Sequence, residues 1–189
     1  MRVLIACESS DTEGSALRAL GHDVTTCDTL PSDGPARFHY QGDVLDLIGE
    51  KWDMVWAHPP CTYLSNSGVR WLYTEPTRWQ HLIEGAEFFR RMFDFDTPRL
   101  AVENPIQHKW AKLIHGQGRQ TQTVQPWMFG HPETKATCLW LRGLPPLIAT
   151  SDSRGEMAIL TLAEQHRITP RWQRIGFAVL PRPRVLLAG

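Results

Sequence analysis

The thiol of Cys61 stands where the sequence predicts the end of a buried strand. The apolar run 52–57 predicts that strand, and Pro59 and Pro60 end it because neither proline can donate a ladder hydrogen bond. A free cysteine is more often a small buried hydrophobe. In an open α/β sheet, however, ligands bind just beyond the carboxyl ends of the strands. We therefore interpret Cys61 as a nucleophile, and we expect a neighbouring helix N-terminus to lower its pKa.

Three further predicted strands each end in a carboxylate. Asp28 follows the second strand, Asp43 the third and Glu103 the fifth. In a parallel sheet these strand ends share one rim with Cys61. A single acid at such a place is more often a structural cap, but a carboxylate after the second strand commonly holds a nucleotide ribose. Three acids and a thiol on one rim therefore predict a site for a nucleoside-containing ligand.

The tripeptide Glu103-Asn104-Pro105 allows two interpretations. The proline restricts Asn104 to extended backbone, so the tripeptide is explained by a strand that simply stops. Alternatively, Glu103 donates a proton to, or shares one with, a ring nitrogen of a bound base.

The imidazoles and remaining thiols form no recognisable metal motif. The candidates are His58, Cys61, His131 and Cys138. Their spacings match no compact zinc pattern, so we expect no metal site. Cys7, Cys27 and Cys138 lie within apolar strand patterns, which favours a place in the core.

The elements that position these residues alternate between strand and helix. Strands are predicted at 2–7, 22–27, 38–41, 52–57, 99–102, 121–125 and 135–141. Helices are predicted at 12–20, with Thr12 as N-cap, and at 44–50, 76–95, 106–115 and 156–166. This alternation predicts one doubly wound, mostly parallel α/β sheet in a single domain, 1–189. Its core spans about residues 1–145, and 146–189 form a short extension.

The length and composition of the chain are typical of a single globular domain. No apolar run approaches the roughly 20 residues of a membrane span. Four cysteines without a Cys-X-X-Cys pair favour free thiols and a cytoplasmic location. Residues 1–98 carry 8 Lys/Arg and 15 Asp/Glu, whereas residues 99–189 carry 12 and 5. The basic C-terminal tail is equally consistent with a phosphate-binding segment and with a solvated end.

Around these residues the chain resembles the cytosine-C5 DNA methyltransferases. Pro60-Cys61, Ser65 and Gly68 stand at the spacings of that family's catalytic loop, and Glu103-Asn104 resembles its Glu-Asn motif. The resemblance spans about residues 2–145. The stretches 59–68, 103–109 and 122–141 are also similar to small phage- and prophage-borne proteins described as cytosine methyltransferase-like.

The resemblance implies a Rossmann-like methyltransferase fold, S-adenosylmethionine as cofactor and DNA as partner. It implies that the Cys61 thiolate adds to C6 of a flipped cytosine while Glu103 binds N3 and the exocyclic amine, and that C5 then receives the methyl group. Implied cofactor contacts are Cys7, Glu8, Asp28, Asp43 and Pro59. Implied substrate contacts are Pro60, Ser65, Asn66, Ser67, Asn104, Gln122 and Gln125.

Two departures from the family keep alternatives open. Ser9, Ser10, Asp11 and Thr12 replace most of the family's cofactor-loop glycines, which is compatible with a non-catalytic methyltransferase-fold binding module. About 45 residues follow Leu144, too few for a full target-recognition domain, which is compatible with a free nucleotide such as dCMP as substrate. The segments 167–171 and 175–179 resemble the family's last two motifs. An amino-methyltransferase is less favoured, since such enzymes carry an acid or amide where His58 stands.

Overall fold

The computed structural model describes residues 1–157, which build one seven-stranded sheet. The strands are β1 (Arg2–Ala6), β2 (Asp23–Asp28), β3 (His39–Gln41), β4 (Met54–Ala57), β5 (Leu100–Pro105), β6 (Gln122–Val124) and β7 (Thr137–Arg142). Their order in the sheet is β3-β2-β1-β4-β5-β7-β6. The first five strands run parallel, and β7 is antiparallel to both β5 and β6.

Helices cover both faces of this sheet. They are α1 (Thr12–Ala19), α2 (Arg78–Arg91), α3 (Lys109–His115) and α4 (Arg154–Met157). Short 3₁₀ helices are formed by Ala36–Phe38, Val44–Leu47, Asn66–Tyr73, Met92–Asp94 and Pro126–Phe129. The predicted fold class, a single doubly wound and mostly parallel α/β sheet of Rossmann-like type, is confirmed. The strand order reverses between β1 and β4, and a crevice beyond the carboxyl ends of these strands is where such sheets bind ligands.

Alternation along β1 shows how the two faces are divided. Leu4 and Ala6 point into the larger cluster, which α2 and α3 complete, whereas Val3 and Ile5 pack on the opposite face with Leu17 of α1. Successive strand residues point to opposite faces, so this strand is apolar at every position because it is covered on both sides. The inner members of the larger cluster include Leu82, Ala86, Phe89, Val102 and Trp140.

The structure shifts several predicted boundaries. Strand β5 continues through Glu103-Asn104-Pro105 instead of ending at residue 102, because these three residues pair with Thr137–Leu139 of the antiparallel neighbour β7. The prediction that Glu103 follows the strand is therefore wrong, although the parallel pairing with β4 does end at Val102.

Helices are shorter than their apolar patterns indicate. The predicted helix 76–95 consists of α2 and a following 3₁₀ turn. The predicted helix 106–115 begins only at Lys109. The His108 imidazole caps it by accepting a hydrogen bond from the Ala111 amide at 3.1 Å. The predicted helix 44–50 is a 3₁₀ helix, Val44–Leu47. The stretch after Cys61, predicted as loop, contains the 3₁₀ helix Asn66–Tyr73.

Most of the predicted helix 156–166 and the segments 167–171 and 175–179 lie outside the described residues. Within residues 1–157, no helix has the length and apolar character that a membrane crossing requires.

Candidate active site

A chain of buried hydrogen bonds fixes the backbone just before Cys61. The Asn104 amide donates to the Pro59 carbonyl at 2.8 Å and accepts from the Gln107 amide at 3.1 Å. The Gln107 oxygen in turn lies 2.8 Å from Nε2 of His115, whose Nδ1 accepts from the Gln117 backbone at 3.0 Å. Burial lowers the pKa of His115 to about 4, so the ring is neutral with its proton on Nε2. The side chains of Asn104, Gln107 and His115 therefore all have hydrogen-bond partners, as buried polar groups require.

The segment that follows Cys61 is held just as firmly. Amides of Leu64 and Ser65 donate to the Cys61 carbonyl at 3.0 and 2.9 Å, which closes a tight turn. The Asn66 amide donates to the Ile106 carbonyl at 2.8 Å, and the His108 amide donates to the Leu64 carbonyl at 3.0 Å. Because Leu64 is also fully buried, the segment is attached to the end of β5 and the start of α3.

The environment of Cys61 disfavours its thiolate. The residue is half-buried, and burial, followed by the negative charge of Glu103, raises the pKa of its thiol. A backbone hydrogen bond to Cys61 and the positive charge of Lys135 act in the opposite direction but do not compensate. The prediction of a lowered pKa is therefore wrong, because burial of the thiol, with the nearby Glu103 carboxylate as the second cause, outweighs the effects that lower it. The same effect shows that Glu103 lies within electrostatic reach of the thiol.

His58 joins two elements of the rim. Its Nε2 lies 2.8 Å from Glu13 in the first turn of α1, and its Nδ1 lies 3.3 Å from Glu103 on β5. All three side chains are largely shielded from water. Burial opposes a charge on the imidazole, but the two carboxylates outweigh it and raise the pKa of His58 to about 10. The ring is therefore an imidazolium at neutral pH and donates to both partners.

Glu8, two residues after the end of β1, lies within electrostatic reach of His58 and Glu13 and adds a third acidic side chain to this group. It is buried and accepts a hydrogen bond from Ser10, and burial raises its pKa even though that bond acts against the shift. Oxygens Oε2 of Glu8 and Oε1 of Glu13 are buried and have no hydrogen-bond partner among residues 1–157. Three carboxylates beside one imidazolium leave the rim short of positive charge. The cluster therefore complements a cationic ligand.

A second group lies where β1, β2 and β3 end. Cys7 is half-buried, and burial, then the charges of Asp28 and Asp43, raise the pKa of its thiol. One oxygen of Asp28 accepts from the Leu30 amide at 2.9 Å, and one oxygen of Asp43 accepts from the Leu45 amide at 2.9 Å. Each aspartate thus caps the turn after its strand. Because Cys7 and Glu8 are consecutive residues after β1, this group and the cluster around Glu8 lie along the same rim of the sheet.

The loop between β1 and α1 keeps the backbone shape of a glycine loop without the glycines. Cys7 and Asp11 adopt left-handed backbone at φ 61° and 57°. Such a conformation is routine only for glycine. Asp11 is held there by an ion pair with Arg18, and Gly34 lies so close to the Asp11 side chain that a Cβ at residue 34 would overlap it.

The other implied contact residues are placed as follows. Pro59 is buried with its carbonyl bound to Asn104, whereas Pro60 and Ser67 are exposed, and the Ser65 hydroxyl lies 3.0 Å from that of Ser67. Gln122 is on β6, three strands away from β4, which is about 14 Å across the sheet. Its amide exchanges two hydrogen bonds with the Leu147 backbone at 2.7 and 2.8 Å. Gln125 lies half-buried just after β6.

Sequence reasoning missed the joint role of Glu13 and His58. The only signal was a histidine at a strand end beside the Pro-Pro-Cys turn, together with an acid in the first turn of the first helix. In the part of the chain that the structure describes, no three His, Cys, Asp or Glu side chains are arranged to hold a metal ion.

Neither a protein-family model nor a curated protein matches the chain. Among solved structures, it is similar to a protein described as a candidate DNA modification methyltransferase encoded within an Escherichia coli prophage, at 16% identity and a TM-score of 0.47, over 75% of this chain and 46% of that one. It is similar to an rRNA methylase from Escherichia coli at 18% identity and a TM-score of 0.43, over 75% and 56% of the two chains. The bifunctional kinase-methyltransferase WbdD matches at 13% identity and a TM-score of 0.46, over 78% and 36%. The chain thus spans less than two thirds of each of these structures.

Proposed function

We propose that this protein transfers a methyl group from S-adenosylmethionine to C5 of cytosine in DNA through a covalent adduct on Cys61. The observation that carries the proposal is that Glu103 on β5 lies within electrostatic reach of Cys61, which follows the adjacent strand β4, beside the point where the strand order reverses. A thiol and a carboxylate on one rim supply a nucleophile and a proton-sharing partner for a heterocyclic base.

Cys61 would act as the nucleophile. Its sulfur forms a bond to C6 of the cytosine ring, and the electron pair of the C5–C6 double bond moves onto C5, while Glu103 shares a proton with N3. The electron pair on C5 would take up the methyl group, which leaves the cofactor as a neutral thioether. C5 then loses its proton to solvent water, the pair of that C–H bond re-forms the C5–C6 double bond, and the Cys61 thiolate leaves C6. Burial and the Glu103 charge raise the pKa of the Cys61 thiol, and a proton held between Glu103 and N3 would offset that charge and so favour the thiolate.

S-adenosylmethionine would supply an electrophilic methyl group on a sulfonium. The unpaired buried oxygens of Glu8 and Glu13 suit its positive groups, and they are the feature of the rim that fits this cofactor. Asp28 and Asp43 retain one oxygen each beyond those that cap their turns, and they would hold the ribose and the base. The Cys7 backbone and Pro59 would supply the remaining contacts with the cofactor.

Asn104 is assigned a positioning role. Both ends of its amide are bonded within the protein and the side chain is 0% exposed, so it fixes Pro59 rather than a ligand. Precise placement of the segment before Cys61 matters because misplacement of a nucleophile by about 1 Å can lower a rate about 100-fold.

The test is transfer of a labelled methyl group. The protein is incubated with cytosine-containing DNA and labelled S-adenosylmethionine, and the products are analysed by mass spectrometry. We expect 5-methylcytosine in the DNA, with loss of product in Cys61→Ser. DNA that stays unmethylated, or methyl transfer that Cys61→Ser does not diminish, overturns the proposal. A parallel incubation with dCMP assigns the reaction to the free nucleotide if methylation appears there alone.

A further inference from the structure

Exposed apolar side chains concentrate on the 3₁₀ helix that follows the Cys61 segment and on the two α-helices packed near it. Of the ten large hydrophobic side chains exposed within residues 1–157, six lie on or next to the 3₁₀ helix Asn66–Tyr73, α2 and α3. Trp71 is 38% exposed and Tyr73 69% exposed. Such a concentration beside a candidate site is typical of an interaction surface.

Aromatic rings form a connected surface here, which we name the aromatic flank and define as Trp71, Tyr73, Trp79 and Trp110. Trp110 donates its indole N–H to the Tyr73 hydroxyl at 3.4 Å, and its ring meets that of Trp79 edge to face at 5.7 Å between centroids. The flank thus joins the segment after Cys61 to the first turns of α2 and α3.

Cations lie over these rings. The guanidinium of Arg70 stands 4.5 Å from the ring centre of Trp71, and the ammonium of Lys109 stands 4.6 Å from that of Trp110. Nearer to Cys61, the guanidinium of Arg78 stands 5.0 Å from the ring centre of Tyr63 and donates to the Thr62 carbonyl at 3.1 Å. Cations layered on aromatic rings combine charge with a stacking surface.

The surroundings of the aromatic flank differ in charge from the rim that carries Glu8, Glu13 and Glu103. Residues 104–119 contain Lys109, Lys112 and Arg119 and no acid. The acids beside the flank are Glu75, whose carboxylate lies 3.6 Å from Arg78, and Glu84, which binds His81. A polyanion therefore meets attraction on the flank and repulsion at the carboxylates of the rim.

We infer that the aromatic flank binds a polynucleotide strand with unpaired bases, and that it delivers that strand to Cys61. The exposed rings stack on bases, while Arg70 and Lys109 contact phosphates, which is the combination that single-stranded nucleic acids require. The inference rests on the proposed function for the reaction at Cys61. It favours DNA over a free nucleotide, because one nucleotide uses neither the length of the flank nor several of its cations.

Binding is measured by fluorescence anisotropy on the full chain, without cofactor, using a labelled 20-nucleotide single strand and the duplex of the same sequence. We expect the single strand to bind more tightly. Trp71→Ala and Tyr73→Ala should each weaken single-strand binding about 5- to 100-fold, whereas Tyr73→Phe should retain it, because the ring and not the hydroxyl stacks. Lys109→Gln should lower the slope of log affinity against log salt by about 0.7.

Matched controls lie outside the aromatic flank. Ile148→Ala removes an apolar side chain that is as exposed as Tyr73, and Arg154→Gln removes a cation that stands 4.7 Å from the Trp127 ring centre but is paired with Asp152. Both should leave the affinity unchanged. Melting temperatures of all variants exclude unfolding as the cause of lost binding.

Several outcomes overturn the inference. These are unchanged affinity in Trp71→Ala and Tyr73→Ala, tighter binding of the duplex, and displacement of the strand by dCMP at equal nucleotide concentration. Loss of self-association in these variants, with affinity for the strand unchanged, would assign the flank to a protein contact instead. Binding that follows these expectations without any methyl transfer would contradict only the proposed reaction, so the two failures are distinguishable.

Discussion

The Nδ1 atom of His58 lies 3.3 Å from a carboxylate oxygen of Glu103, across 45 residues of sequence. Through its other nitrogen the same ring holds Glu13 at 2.8 Å, so one imidazolium ties β5 to the first turn of α1. The strength of this contact depends on the charge of the ring and therefore on pH.

Replacing His58 with glutamine should destabilise the protein in a pH-dependent way. The folded-state pKa of about 10 lies above the unfolded value of about 6.5, so the stabilisation is fully present below pH 6.5 and is lost as the pH rises through 10. We expect His58→Gln to lower the melting temperature strongly at pH 6 and little at pH 10.5. His81→Gln, at an exposed histidine–glutamate pair, is the control and should change little. An equal loss for His58→Gln at both pH values would contradict the assigned imidazolium.

Removing the charge of Glu103 should make Cys61 more reactive. Burial and the Glu103 carboxylate raise the thiol pKa, and Glu103→Gln removes the second cause. We expect iodoacetamide to alkylate Cys61 faster at pH 8 in Glu103→Gln than in the wild-type protein. Mass spectrometry of the digested protein measures the alkylation of each cysteine-containing peptide. Alkylation of the buried Cys138 serves as an internal control for unfolding. Unchanged or slower labelling of Cys61 would show that Glu103 does not act on the thiol.

Asn104→Ala should lower the free energy of unfolding by about 1 to 3 kcal/mol, because it leaves the Pro59 carbonyl and the Gln107 amide buried without their partner. Denaturant titration measures the effect. Asn66→Ala, at an exposed asparagine, should stay within about 0.5 kcal/mol. Equal effects of the two substitutions would refute the positioning role of Asn104.

Asp11→Ala should destabilise the protein by about 1 kcal/mol more than Asp11→Gly. Both substitutions remove the ion pair with Arg18, but only alanine places a Cβ in left-handed backbone. Thermal denaturation of the two variants gives the difference directly. If alanine were as well tolerated as glycine, residue 11 would not require the left-handed conformation.

The sequence allowed the sheet, and the position of Cys61 shortly after β4, to be predicted because these depend on local patterns. Apolar runs ended by proline or an acid placed β1, β2 and β4 within two residues of their observed bounds. The continuation of β5 through Pro105 was not predictable, since it depends on pairing with a strand more than 30 residues later. The pKa of Cys61 was mispredicted for a similar reason, because it depends first on burial in the folded chain and then on a carboxylate brought near by strand order.

The His58 contacts also escaped prediction. Nothing in a histidine before two prolines indicates which carboxylates will surround it, and both partners lie 45 positions away, one on each side. The backbone of the first loop was not predictable either. Serine, aspartate and threonine stand in place of most of its glycines, yet Cys7 and Asp11 adopt the conformation that glycine usually supplies.

The firm attachment of residues 61–66 has a kinetic consequence. With Asn66 bonded to Ile106 and His108 to Leu64, this segment is already ordered and has little conformational entropy left to lose when a ligand arrives. Encounter with this segment should therefore be limited by diffusion and charge rather than by the closing of a gate. Stopped-flow association traces that are single-exponential, with rates linear in ligand concentration, are the behaviour expected of such a rigid receptor.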